Sequence, residues 1–308
     1  MLTFFSGPLF IISLFARGPL TETKTIVIPR GSSVSEITTL LDQNNILIHP
    51  ILFRITARFL AKDQLKAGEY QFTPGLNVME VAALLRDGKV VLRQVTAAEG
   101  LTSHEIATIL QNTPALTGEV KTVPPEGSLL PETYRFTHGD SRESLIDRMQ
   151  KDAAAMLAEL WEGREGNLPL KSPREALILA SIVEKETGKL AAERPLVASV
   201  FINRMRVRMP LQSDPTVIYA LTGGTGSLGR SLTRADLSTD SPYNTYMNAG
   251  LPPTPICNPG RAAMMAVLHP EKSDYLYFVA NGTGGHAFAK TLTEHNQNVA
   301  KWISLSRP

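Results

Sequence analysis

One cysteine, Cys257, in 308 residues excludes an intrachain disulfide and any CxxC zinc or redox site. A lone thiol leaves the compartment open. The chain also lacks an excess of either charge. Thirty-one Lys and Arg stand against 29 Asp and Glu, a net of +2, so neither nucleic acid nor an anionic membrane surface is the default partner. The six histidines are scattered, His286 and His295 have no metal-ligand spacing around them, and no HExxH occurs. The glycine clusters at 223–226 and 282–285 lack the spacing and the following Lys-Ser/Thr of a phosphate loop, and read as plain loops. No metal and no cofactor are therefore expected. No apolar run reaches a full membrane span either. Residues 1–16 carry no charge, but at about 1.5 Å per residue they cover about 24 Å of a hydrocarbon core of about 30 Å, and Gly7-Pro8 interrupts them. No basic stretch precedes the run, as a secretory signal requires, so it reads as a partial membrane anchor.

What is present is a globular composition. With 43% hydrophobic and 19% charged residues, the chain can bury a core, and its length suits one large or two modest domains. Disorder and a coiled coil are excluded as its main character. One pattern, Gly followed five residues later by Glu with a capping residue between, occurs three times: Gly31/Ser33/Glu36, Gly75/Asn77/Glu80 and Gly100/Thr102/Glu105. Each is a capping box or close variant ahead of an apolar helical period. β-prone stretches at 25–28 and 69–72 precede two of the copies, so the unit is strand, glycine turn, short amphipathic helix. Residues 24 to about 92 form a small α+β unit, and the β-rich stretch 89–97 leads out of it. The Pro-rich stretch 122–131 is a loop, and 144–161 is a core-facing helix.

Ser172-Pro173-Arg174-Glu175 opens a further helix with an N-cap serine, a proline at the first position and a capping-box glutamate, and Gly188 closes it. At about 100° per residue, Glu186 falls about 60° from the apolar centre at Val183, between Leu179 and Ile182, whereas Glu184 lies about 100° round the other way. Glu186 is thus the carboxylate directed at apolar surroundings. Dehydration disfavours the anion and raises the pKa toward the range of a neutral-pH proton donor. Wheel position alone leaves open an ion pair of Glu186 with Lys185 or Lys189.

The ordered stretches ALILASIVEKETG, VASVFINRM, LQSDPTVIYAL, SPYNTY, GLPPTPICNPG, DYLYFVA and GGHAFAKTLTEHN closely resemble the endolytic murein transglycosylase family of bacterial envelopes. The similarity covers essentially the whole chain after residue 24. It implies an α+β fold: a small LysM-like α/β domain at 17–92, behind the partial anchor 1–16, and a larger, mainly helical catalytic domain with short strands at 93–308. It also implies a lytic transglycosylase, a carbon–oxygen lyase that cuts peptidoglycan glycan strands internally and leaves a 1,6-anhydro-N-acetylmuramic acid end. The family's single essential glutamate, the second Glu of IVEKET, is Glu186 here. The implied setting is the inner membrane, single-pass, with the catalytic part in the periplasm and coupled to penicillin-binding synthases. A peptidoglycan-binding scaffold without catalysis is the competing reading, and a hydrolase is a second rival.

Three further stretches supply candidates for substrate binding. Gln212-Ser213-Asp214 sets an amide, a hydroxyl and a carboxylate in succession ahead of Pro215, suited to sugar hydroxyls and N-acetyl groups. Asp214 is equally a candidate N-cap of a helix starting at Pro215. Tyr243, Asn244 and Tyr246 combine rings that can cover pyranose faces with an amide that can read their edges, although either tyrosine can equally be core. Glu126-Gly127, with Pro131 and Tyr134, resembles another family motif and makes Glu126 a site candidate and the rival carboxylate.

Overall fold

The computed structural model describes residues 13–60, 64–187 and 191–306. Among them are ten helices and six short strands, the strands in three two-stranded sheets, an α+β architecture. The chain divides into two compact units: one runs to Gln94 and also takes in 114–117 and 135–140, and the other holds 95–113, 118–134 and 141–308.

The first unit runs β1 (Lys24–Ile28), α1 (Val34–Gln43), α2 (Pro50–Leu60), β2 (Gly68–Phe72), α3 (Val78–Asp87). β1 and β2 pair antiparallel with Ile26 opposite Tyr70. Alternation puts Ile26, Ile28, Tyr70 and Phe72 into the core, where Ile37, Leu41, Phe53, Val81 and Leu85 meet them. All three expected capping boxes form, each with the cap side chain on the N3 amide and the glutamate reaching back. The turn glycines Gly31, Gly75 and Gly100 have φ of 82°, 83° and 79°, a left-handed backbone that explains glycine in every copy.

β3 (Arg93–Thr96), α4 (Ser103–Gln111) and β4 (Thr133–Phe136) lead to the helical body of the second unit: α5 (Arg142–Glu162), α6 (Pro173–Glu186), α7 (Arg194–Arg206), α8 (Asp214–Thr222) and α9 (Arg261–Leu268). The antiparallel pair β5 (Tyr277–Ala280) and β6 (His286–Ala289) and helix α10 (Leu292–Ser306) follow. α6 is the central helix, packed by α5, α7, α8 and α9. Leu179 and Val183 from it meet Phe201, Met264 and Val267 in one core. Ser181 ties α6 to the segment after the 251–255 loop by accepting the Ile256 amide at 3.0 Å, and the neighbouring Cys257 thiol, buried and with its pKa pushed up by that burial, donates to the Ser181 carbonyl. Ser172 caps α6 through the Glu175 amide, but the Glu175 carboxylate turns to the Lys171 amide instead, so only half of the expected box forms. The helix ends as Thr187 turns extended, and the Gly188 stop lies outside the described residues.

No helix among the described residues is long and apolar enough to cross a membrane. Residues 1–12 of the expected anchor lie outside them.

Candidate active site

Glu186 is the last residue of α6, and three chain segments converge on it. The first is the turn into α8. Ser213 occupies the N-cap position of α8, yet its hydroxyl makes no cap bond and donates to Glu186 Oε1 at 2.6 Å. Asp214 is the first residue of the helix, one position later than the cap role open to it in the sequence. The second segment is the turn at 241–247: the Thr245 hydroxyl accepts the Ser213 amide at 3.0 Å and pairs with the Thr216 hydroxyl at 2.8 Å, and the Tyr246 hydroxyl donates to Asp214 Oδ1 at 2.6 Å. Burial, then the bond to Asp214, pushes the Tyr246 pKa up, so the phenol stays a donor.

The third segment is the C-terminal part of α7, which supplies Arg204, a residue that the sequence reading did not single out. Its Nε donates to the Leu276 carbonyl at 2.6 Å and its Nη1 to Leu211 at 2.7 Å, with the guanidinium 5.4 Å from the centre of the Tyr277 ring. A buried arginine thereby holds the loop that delivers Ser213. The only hint in the sequence was an arginine two residues after the apolar run Val200-Phe201-Ile202.

Glu186 is partly exposed, but protein crowds its carboxylate, and desolvation raises its pKa from the ordinary value to about 7. The Ser213 bond and the Arg204 charge oppose that rise, and the Asp214 charge adds to it. The immediate company of Glu186 is therefore polar, while the desolvation comes from the surrounding fold. Oε2 accepts no hydrogen bond from the described residues. Such a group is near half protonation at neutral pH and can both give and take a proton.

Glu184 departs from the helical wheel. It is more deeply buried than Glu186, its Oε1 accepting from Arg194 at 2.9 Å and its Oε2 from the Gly260 amide at 2.9 Å. The wheel describes α6 alone, whereas α7 and the 260 loop cover that flank. The ion pair lets a buried carboxylate anchor the last turn of α6 beside Glu186.

The remaining candidates divide. Asn244 is fully buried and spends its amide on the Leu237 and Thr239 carbonyls and the Tyr246 amide, so it shapes the turn that presents Thr245 and Tyr246. Tyr243 packs its ring 4.9 Å from that of Tyr219 and shares a hydrogen bond with Thr254. Glu126 belongs to a separate cluster, where it accepts the Ser103 amide at 2.7 Å and the Asn258 and Tyr219 side chains, with its pKa raised by burial. An open cleft of about 640 Å³ runs along α8, past Pro215, Ile218 and Tyr219 to Lys185; Glu186 and Ser213 are not part of its lining. Among the described residues no group of three or more His, Cys, Asp or Glu is placed to hold a metal ion.

Gln212 is exposed and holds φ +49°, a left-handed conformation that costs an L-residue free energy. Its backbone N–H donates to the Thr245 carbonyl at 3.1 Å, which fixes that backbone. Gln212→Gly is expected to stabilise the protein by about 0.5–1 kcal/mol in urea denaturation, strain relief outweighing the added freedom of the unfolded chain. A loss of stability would show that the backbone at 212 is not strained.

Comparison with known proteins bears on most of the chain. A curated endolytic murein transglycosylase from Bacillus subtilis is 34% identical over 92% of this chain and 85% of its own length. One from Streptococcus pneumoniae is 31% identical over 91% of this chain, which spans 58% of that longer protein. The crystal structure of a yceG-like protein from Listeria monocytogenes is 36% identical, with a TM-score of 0.55 over 90% of this chain and 99% of that one. Residues 26–301, which include every segment that converges on Glu186, match the YceG-like family, and the chain belongs to that family.

Proposed function

We propose that this chain is an endolytic peptidoglycan lytic transglycosylase in which Glu186 is the one catalytic acid and base. The observation that carries the reading is a carboxyl with a pKa of about 7, held by Ser213 through one oxygen, with no described residue bonded to the other. The curated relatives' names supply the substrate, murein.

In the first step the protonated Glu186 gives its proton to the oxygen joining C1 of N-acetylmuramic acid to N-acetylglucosamine, and the C1–O bond breaks. In the second, the Glu186 carboxylate takes the proton of the muramic C6 hydroxyl while that oxygen closes on C1. The product is the 1,6-anhydro end, Glu186 is again protonated, and no water is consumed. A hydrolase would instead set two carboxylates around a water or a nucleophile. The oxocarbenium character that develops at C1 is met by the substrate's own N-acetyl group or by dipoles in the cleft. Gln212, Tyr246 and Tyr243 line the approach of the sugar, and Ser213 orients the acid. The first unit serves as a LysM-like glycan-docking domain. An anchor at 1–16, an inner-membrane and periplasmic setting and coupling to penicillin-binding synthases belong to the same reading, on the strength of the family resemblance.

Digestion of purified sacculi followed by mass spectrometry tests this. Anhydro-muropeptides are the expected products. Reducing muramic ends would make the enzyme a hydrolase, and no released product would leave a binding scaffold.

A further inference from the structure

The outer face of α2 has no role in the chemistry above. Phe53, Thr56 and Ala57 point into the core of the first unit. On the opposite side Ile51, Ile55 and Phe59 follow one another at intervals of four and are 73%, 36% and 80% exposed, and Ile48 just ahead of the helix is 42% exposed. Arg54 and Arg58 stand exposed in the same stripe, and the helix contains no acidic residue. The apolar face continues into a shallow cavity of about 280 Å³ that Leu14 shares with Ile55 and Phe59. Leu14 belongs to the uncharged run 1–16, and the next residue, Phe15, is 61% exposed.

A water-facing helix rarely spends three large apolar side chains on one outer stripe. Isoleucine and phenylalanine interleaved with arginine, without carboxylates, suit a helix lying in the plane of a bilayer surface, apolar groups at the acyl boundary and guanidinium groups on lipid phosphates. The near-zero net charge of the whole chain conceals this local pattern. We propose that the outer face of α2 is a membrane-contact surface that rests on an anionic bilayer, contiguous with the apolar segment carrying Leu14.

The lone native thiol makes the test direct, because Cys257 is buried. Phe59→Cys, and separately Ile51→Cys, place one accessible thiol on the face for an environment-sensitive fluorophore on the full chain. With phosphatidylglycerol vesicles the expected result is a blue-shifted emission protected from iodide. Adding Arg54→Glu and Arg58→Glu is expected to raise the lipid concentration needed by about 30-fold or more, the scale of losing two cations near an anionic surface. The proposal is overturned if both labels keep a water-like emission in samples whose protein sediments with the vesicles, or if the protein does not sediment with them. Labels already shielded before lipid is added would overturn it too, and would assign the face to residues 1–12 or, if the shielding depends on concentration, to a second copy. Every readout is independent of glycan cleavage.

Discussion

Glu186→Gln is expected to lower the rate of anhydro-muropeptide release by roughly 10²–10⁴-fold, the scale of losing a positioned general acid–base, while the fold survives intact. Glutamine keeps the shape and can still accept from Ser213, so only proton transfer is lost. The same carboxyl sets the pH dependence. Its pKa of about 7 in the folded protein means that the proton needed for the first step is lost as pH rises through 7, and kcat/KM is expected to fall on that side. Stability follows the same titration. Between the ordinary carboxyl range and pH 7 the unfolded chain releases this proton while the folded chain keeps it, so raising the pH destabilises the fold. Above pH 7 the penalty is complete, on the order of 3 kcal/mol, and Glu186→Gln removes it. The variant is therefore expected to be more stable than wild type at pH 8 and no more stable at pH 4. Activity within tenfold of wild type would remove Glu186 from the mechanism.

Arg204→Met is expected to cost about 2–4 kcal/mol in urea denaturation, because a buried guanidinium leaves the Leu276 and Leu211 carbonyls without their donors. Methionine fills much of the volume but lacks the guanidinium that stands over the Tyr277 ring, so the loss reports the polar bonds together with that cation–π contact. Two effects on activity follow. The loop that brings Ser213 to Glu186 loosens, and a positive charge that favours the Glu186 anion disappears. The alkaline limb of the pH–rate profile is expected to move upward with the loss of rate. Lower stability with an unmoved limb would confine Arg204 to a structural role.

The helix starts were legible in the sequence because a cap joins atoms three residues apart. Ser33 with Glu36, Asn77 with Glu80 and Thr102 with Glu105 form their boxes within one turn of backbone, whatever the rest of the chain does. α6 was legible for the same reason, from Ser172 and Pro173 at one end and its apolar period through Val183. Glu186 was singled out by its place on that helix and by the family motif together.

Its neighbours were decided by tertiary structure. Ser213 reaches Glu186 across 27 residues, Thr245 holds Ser213 across 32, and the Gly260 amide meets Glu184 across 76. A helical wheel sees the face of one helix, so it separated Glu184 from Glu186 by direction and missed that α7 and the 260 loop bury the former. Likewise Asn244 reads in sequence as an amide free to bind sugar, and only the fold shows its bonds spent on its own turn. Local spacing determined the helix starts after Ser33, Asn77, Thr102 and Ser172 and which glutamate of the central helix faces its apolar side, whereas α2, α7, α9 and α10 were not read from it. The pKa of that glutamate, the arginine beside it and the serine that holds it depend on desolvation and charge, which act through space between segments distant in the chain.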